Sequence, residues 1–170
     1  MWEFVRPTYL FYHVEQISID WLRAQNIRYI LLDVDNTIAV WNKNEIDDGV
    51  AVWLREILNA KIQVILISNS GTARLKCMSL TYNVAYISWA MKPLRASFKK
   101  AMARWGNPDT QEVLVIGDQL FTDVWGGNKL GLKTILLTPR YSKEYIWTSL
   151  IRYLESYVLK RLCLCKKKHL

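Results

Sequence analysis

The chain has 170 residues, 51% hydrophobic and 22% charged, with only 7 Gly and 4 Pro, which excludes disorder, collagen and low-complexity filler and suits one domain with a sizeable core. Its net charge is +8, of which +6 falls in residues 140–170, where eight basic side chains meet two acidic ones. Such an end-loaded charge attracts polyanions, either nucleic acid or an anionic membrane surface. The three cysteines, Cys77, Cys163 and Cys165, form no disulfide framework and point to a reducing, cytoplasmic setting. The start lacks the pattern of a signal peptide. No apolar run reaches the roughly 18 residues of a membrane span, so the chain is expected to lie on a membrane at most.

In chain order, residues 17–25 predict a helix that stops at Asn26, a residue type that tolerates the left-handed conformation of a helix end. Short apolar runs then recur at 29–34, 62–68, 84–87, 113–117 and 134–138. Both faces of these runs are apolar, as in strands buried on both sides of a parallel sheet. Helical stretches at 49–60, 72–80, 93–105 and 123–130 separate them. The alternation predicts right-handed crossovers and a three-layer α/β/α sandwich around a five-stranded parallel sheet. From Ile146 onward, Leu150, Tyr153, Leu154, Tyr157, Val158 and Leu162 recur at helical spacing, with Arg152, Glu155, Ser156 and Lys160 elsewhere on the wheel. That is an amphipathic helix packed in part on the sheet. Beyond it, Cys163 and Cys165 alternate with leucines ahead of Lys166, Lys167 and Lys168.

The chemistry collects at the strand ends, because ligands of open parallel sheets bind beyond the carboxyl ends of the strands where strand order reverses. The first run leads into Asp33-Val34-Asp35-Asn36-Thr37 and the fourth into Gly117-Asp118-Gln119-Leu120-Phe121-Thr122-Asp123. A 3-2-1-4-5 strand order would bring these acids together across 85 residues of sequence. Clustered carboxylates are costly unless a hard cation neutralises them, and Mg²⁺ is the obvious candidate. The second run ends in Ser68-Asn69, a hydroxyl and an amide near a helix start, suited to a phosphate. Lys92 follows the third run and adds a positive charge. Acid, hydroxyl, base and acid at four strand ends make a phosphoryl-transfer site.

Asp-x-Asp-Asn-Thr, strand-Ser-Asn, Lys-Pro and Gly-Asp-Gln-x-x-Thr-Asp, in that order, resemble the haloacid dehalogenase (HAD) phosphohydrolases. More narrowly, Asp33 to Thr37, Ser68-Asn69 with Arg74 beyond, Ala90-Met91-Lys92-Pro93, and Gly117 to Asp123 followed by Gly126-Gly127-Asn128 resemble the bacterial YqeG type of subfamily IIIA. That type is similar to the fungal mitochondrial phosphatidylglycerophosphate phosphatase. The resemblance implies Asp33 as nucleophile and metal ligand, with Asp35 as general acid and base holding the metal through its carbonyl. It implies Asp118 and Asp123 as metal ligands or orienters, and Ser68, Asn69 and Lys92 as phosphate-binding groups. The acid at Asp35 favours rapid hydrolysis over a persisting phosphoenzyme. Where relatives often carry a second Asn, this chain has Ser70.

Spacing bears on substrate. The 35 residues from Asp33 to Ser68 hold a flap (38–48), a helix and a strand, and the 24 from Ser68 to Lys92 hold a helix and a strand. No cap domain of 50 residues or more fits in either gap. The expected enzyme is therefore an uncapped HAD-like Rossmannoid, residues 1–140, with an amphipathic helix and basic tail at 141–170. An open site suits a phosphate on a bulky group, and the leading substrate by resemblance is phosphatidylglycerophosphate. Five basic residues of the tail, at about 1 kcal/mol each near an anionic leaflet, would attach the protein reversibly to the inner face of a membrane. The alternatives are a soluble phosphatase for small or nucleic-acid phosphoesters, and a non-catalytic RNA- or ribosome-binding protein using the basic end.

Overall fold

The computed structural model describes residues 2–39, 46–140 and 146–162, the last segment with side chains from Tyr153 onward. Most of the 38–48 flap, Cys163, Cys165 and Lys166 to Lys168 lie outside the described residues.

In chain order the elements are β1 (Tyr9–Phe11), α1 (Ile19–Ala24), β2 (Tyr29–Leu32), α2 (Asp48–Asn59), β3 (Gln63–Ile67), α3 (Thr72–Tyr82), β4 (Ala85–Ile87), α4 (Arg95–Arg104), β5 (Val113–Gly117), α5 (Trp125–Asn128), β6 (Lys133–Leu137) and α6 (Ile146–Arg161). Ser18 caps α1 by accepting from the Trp21 N–H at 3.2 Å. The chain leaves that helix through Asn26 at φ 55°, the left-handed stop expected of it.

The sheet order is β1-β6-β5-β2-β3-β4, every pair parallel. The five strands from β6 to β4 reproduce the 3-2-1-4-5 order, so β2 and β5 are neighbours. The strand count is six rather than five. β1 escapes sequence reading because three residues carry no periodicity; it joins the edge by pairing Tyr9 with Ile135 and Phe11 with Leu137.

Each inner strand is apolar on both faces because helices cover both. Ile30, Leu32, Val64, Leu66, Leu114 and Ile116 pack against Trp53, Leu54 and Ile57 of α2 and Leu75 and Met78 of α3. The alternate residues Leu31, Ile65, Ile67, Val113 and Val115 pack against Phe98, Ala101 and Met102 of α4. A third cluster joins Leu136 of β6 to Val5, Leu120, Val124 and two residues of α6, Val158 and Leu162. The predicted apolar stripe of α6 therefore divides. Val158 and Leu162 are buried, whereas Tyr153 is 73% exposed and Leu154 and Tyr157 about half exposed. Glu155, assigned by the wheel to the polar side, is buried instead; its carboxylate accepts the Phe121 N–H at 3.2 Å.

Candidate active site

β2 delivers Asp33 to the sheet edge, where its N–H donates to the Ile116 carbonyl of β5 at 2.9 Å. The chain then turns through Asn36 at φ 60°. The turn brings the Thr37 hydroxyl back to donate to Asp33 Oδ2 at 2.9 Å. β5 delivers Asp118, and the wide turn Leu120–Val124 returns Asp123 beneath it. Asp123 Oδ2 accepts from the Gln119 N–H and the Thr122 hydroxyl, each at 3.2 Å. Gly117 is required here: a Cβ at that position would lie 2.3 Å from the Asp123 carboxyl carbon, well inside any contact distance.

Three buried acids thus converge. One carboxylate oxygen from each of Asp33, Asp118 and Asp123 lies within 4.8 Å of the others. An all-oxygen set of this size fits a hard divalent cation. The fourth predicted acid, Asp35, is outside the trio. Its Oδ2 accepts from Ser68 Oγ at 3.1 Å and Ser70 Oγ at 2.6 Å, and Arg74 pairs with Oδ1.

Lys92 is no rim charge: it is buried, and its Nζ reaches Asp33 Oδ1 at 2.5 Å and Asp123 Oδ1 at 2.6 Å. Burial pulls the ammonium pKa down, but Asp123 and Asp33 more than reverse this, and the net shift is upward. Burial pushes the Asp33 carboxyl up to about 7, with Lys92 opposing and the charges on Asp123 and Asp35 adding to the rise. Internal ammonium and acid trio therefore depend on each other.

Ser68 points at Asp35, as described, and also accepts the Ser70 N–H at 3.0 Å. The Asn69 side chain is spent on the backbone of Lys92: its Oδ1 accepts the Lys92 N–H at 2.7 Å and its Nδ2 donates to the Lys92 carbonyl at 3.3 Å. Asn69 thereby ties the loop after β3 to the backbone that carries the lysine. Ser70 and Arg74, absent from the predicted site set, hold the Asp35 carboxylate. Arg74 belongs to the motif that carries the resemblance, but its partner is not readable from spacing, because the contact depends on how the loop after β3 folds over β2.

An acid trio with an embedded lysine, at the carboxyl ends of a parallel sheet ordered in this way, defines a phosphatase of the HAD superfamily. The family described as mitochondrial PGP phosphatase matches residues 2–140, and the chain belongs to it. The chain is 31% identical over 160 residues to the probable phosphatase YqeG of Bacillus subtilis strain 168, covering 94% of this chain and 92% of that protein. Its fold is similar to that of a hypothetical protein from Xanthomonas campestris, with a TM-score of 0.56 at 15% identity over 82% of this chain and 78% of the other. It is also similar to the cobalt-bound deoxy-D-mannose-octulosonate 8-phosphate phosphatase of Haemophilus influenzae, with a TM-score of 0.51 at 14% identity over 80% and 89%. No helix among the described residues is long and apolar enough to cross a membrane.

Proposed function

We propose that the protein is a Mg²⁺-dependent phosphomonoester hydrolase that removes the terminal phosphate of phosphatidylglycerophosphate. The observation that carries the chemistry is the convergence of Asp33, Asp118 and Asp123 around a common point beside Lys92. The family matched over residues 2–140 supports the substrate. Residues 1–140 form the catalytic domain in this reading, and 141–170 are its membrane-facing appendage. The Tyr153, Leu154 and Tyr157 face of α6, exposed to solvent, supports peripheral attachment from the cytoplasmic side.

Asp33, Asp118 and Asp123 would hold the cation, with the Asp35 carbonyl beside them; bound there, it would offset the charge of the phosphoryl oxygens. An Asp33 oxygen attacks phosphorus, the ester P–O bond breaks, and the departing alcohol takes its proton from Asp35. Water then attacks the aspartyl phosphate, gives its proton to Asp35, and releases inorganic phosphate and free Asp33. Lys92 holds Asp33 for attack and stabilises charge on the transferring group. The Ser68, Ser70 and Arg74 contacts keep Asp35 out of the acid trio, so one carboxylate remains available for proton transfer. Ser68 and Lys92 would hold the phosphoryl oxygens in this reading, and Asn69 contributes by placing Lys92.

The test is phosphate release from phosphatidylglycerophosphate in vesicles and from a soluble aryl phosphate, with and without Mg²⁺. We expect Mg²⁺-dependent release, faster on the lipid. Equal rates on the two substrates would discard the lipid assignment, and release independent of divalent ions would discard the mechanism.

A further inference from the structure

An apolar cleft of about 580 Å³ lies beside the acid trio, between the ends of β1 and β6 and the inner side of α6. Leu10, Phe11, Leu136, Leu137, Pro139 and Leu159 form most of its wall. Its size falls within the roughly 300–1,000 Å³ of pockets that take small organic ligands. Asp118 also lines it, so the cleft and the acid trio share a wall. The two therefore meet at Asp118, and the cleft beyond it is mostly apolar, with Glu155 and Lys160 as its other charged lining residues.

That shared wall sets the chemistry of an occupant. A ligand reaching both ends carries a phosphate at one terminus and a hydrocarbon chain at the other. We infer that the cleft between β1, β6 and α6 is an acyl-chain subsite, which takes the apolar portion of a lipid phosphomonoester while its phosphate sits at Asp33, Asp118 and Asp123. The inference rests on the lipid reading of the function and deepens it. Two further features fit a chain that enters from a bilayer. Lys160 stands at the rim of the cleft and is exposed, placed to meet an anionic headgroup as the apolar part passes beneath. Tyr153, Leu154 and Tyr157 lie exposed on another face of the same helix, an apolar surface that a bilayer would cover. The edge strand β1 acquires a purpose as well: its residues Leu10 and Phe11 provide the wall opposite α6.

The test is a series of n-alkyl phosphates from butyl to octyl, kept below their aggregation limits, with phosphatidylglycerophosphate run in parallel. Two variants alter the cleft: Ser156→Trp, which fills it from an exposed position, and Leu159→Gln, which makes polar a half-buried wall position at the margin of the third core cluster. Reading each variant as the ratio of octyl to butyl phosphate cancels any general loss of activity. In the unaltered protein kcat/KM should rise by up to about fourfold per added methylene, the value for full burial of each CH₂, mainly through KM. Both variants should at least halve that per-methylene gain. A series flat in chain length, or a gain that survives both variants, overturns the subsite. Preference for phosphatidylglycerophosphate with a flat alkyl series keeps the lipid function and discards the cleft. A steep alkyl series without preference for the phospholipid keeps the cleft and discards that substrate. If Ser156→Trp changes only the sedimentation of the protein, the cleft belongs to a second copy of this chain and the inference fails.

Discussion

At the ends of β2, β4 and β5, Asp33 and Asp123 are both locked within hydrogen-bond reach of Lys92, and the loops around them are tied by further hydrogen bonds to Asn69, Gln119 and Thr37. Along α6 the organisation is different: Val158 and Leu162 anchor the helix by burial, with a single bond from Phe121 N–H to Glu155, while Tyr153, Leu154 and Tyr157 contact solvent. The first region is fixed by directional, charge-bearing contacts, in which loss of one partner leaves the others buried and unsatisfied. The second is held mostly by non-directional packing that tolerates change. Chemistry that requires atoms placed within fractions of an ångström belongs in the former, and recognition of a pliable hydrocarbon belongs beside the latter.

The largest effect expected from breaking this contrast is at Asp33. Asp33→Asn removes the nucleophile and should lower kcat on the order of 10⁴-fold or more, the scale seen when other hydrolases lose theirs; steady-state phosphate release measures it, and turnover near the original rate would refute a covalent step. Lys92→Met should follow, lowering kcat by about 10²–10³-fold through lost charge stabilisation. The same variant leaves the acid trio without its internal cation, so Mg²⁺ should raise its Tm by more than it raises that of the unaltered protein. Equal Mg²⁺ shifts would mean that Lys92 and the cation do not share Asp33 and Asp123.

Gly117→Ala is expected to act between these regions of behaviour. Its Cβ would collide with the Asp123 side chain, which is buried and tied to Lys92 and so cannot swing away freely. A loss of about 1–3 kcal/mol in urea unfolding is expected for such overpacking, with a weaker Mg²⁺ dependence as Asp123 shifts. Loss of stability without any change in the Mg²⁺ response would uncouple Asp123 from the cation.

The pH response sharpens the contrast further. In the metal-free protein burial pushes Asp33 up to about 7 from an ordinary value of 3.8. The folded state thus binds that proton more tightly than the unfolded chain does. Its stabilising contribution is complete below about pH 4 and is lost as pH rises toward 7, with a slope of at most about 1.4 kcal/mol per pH unit. Urea melts at intervals over that window should show the decline, and Asp33→Asn should flatten it. Val158→Ala, which alters only packing at α6, should lower the whole curve without changing its slope.

Much of the strand-end site is legible in sequence for a simple reason. Asp33, Asp118 and Lys92 each follow an apolar run closely, and a parallel sheet forces the ends of such runs to one edge. Whether two ends are neighbours depends on strand order, which the alternation of runs and helices restricts to few choices. The side-chain partners are less accessible. Asn69 reads as a phosphate ligand beside Ser68, yet its amide bridges to the Lys92 backbone, because the loops after β3 and β4 run side by side, a tertiary fact that no local spacing encodes. β1 is too short to show a period. On α6 the wheel assigns Glu155 to water, but a backbone N–H left over by the wide turn at Leu120–Val124 draws that carboxylate inward.

Glu155 joins the two regions, which makes it the finest probe of their separation. Its Oε1 accepts from Phe121 N–H, and Phe121 lies in the turn that carries Asp123. Glu155→Gln retains an oxygen acceptor and should cost about 1 kcal/mol or less, whereas Glu155→Leu leaves the N–H without that acceptor and should cost about 1–3 kcal/mol. If the helix steadies the catalytic turn through this bond, the leucine variant also loses kcat at saturating Mg²⁺ by a few fold, while the glutamine variant stays near the original value. Because Phe121 and Asp123 are only two residues apart in a single turn, displacement of one cannot leave the other untouched. Equal kcat in the two variants would therefore show that α6 serves the substrate's apolar end alone.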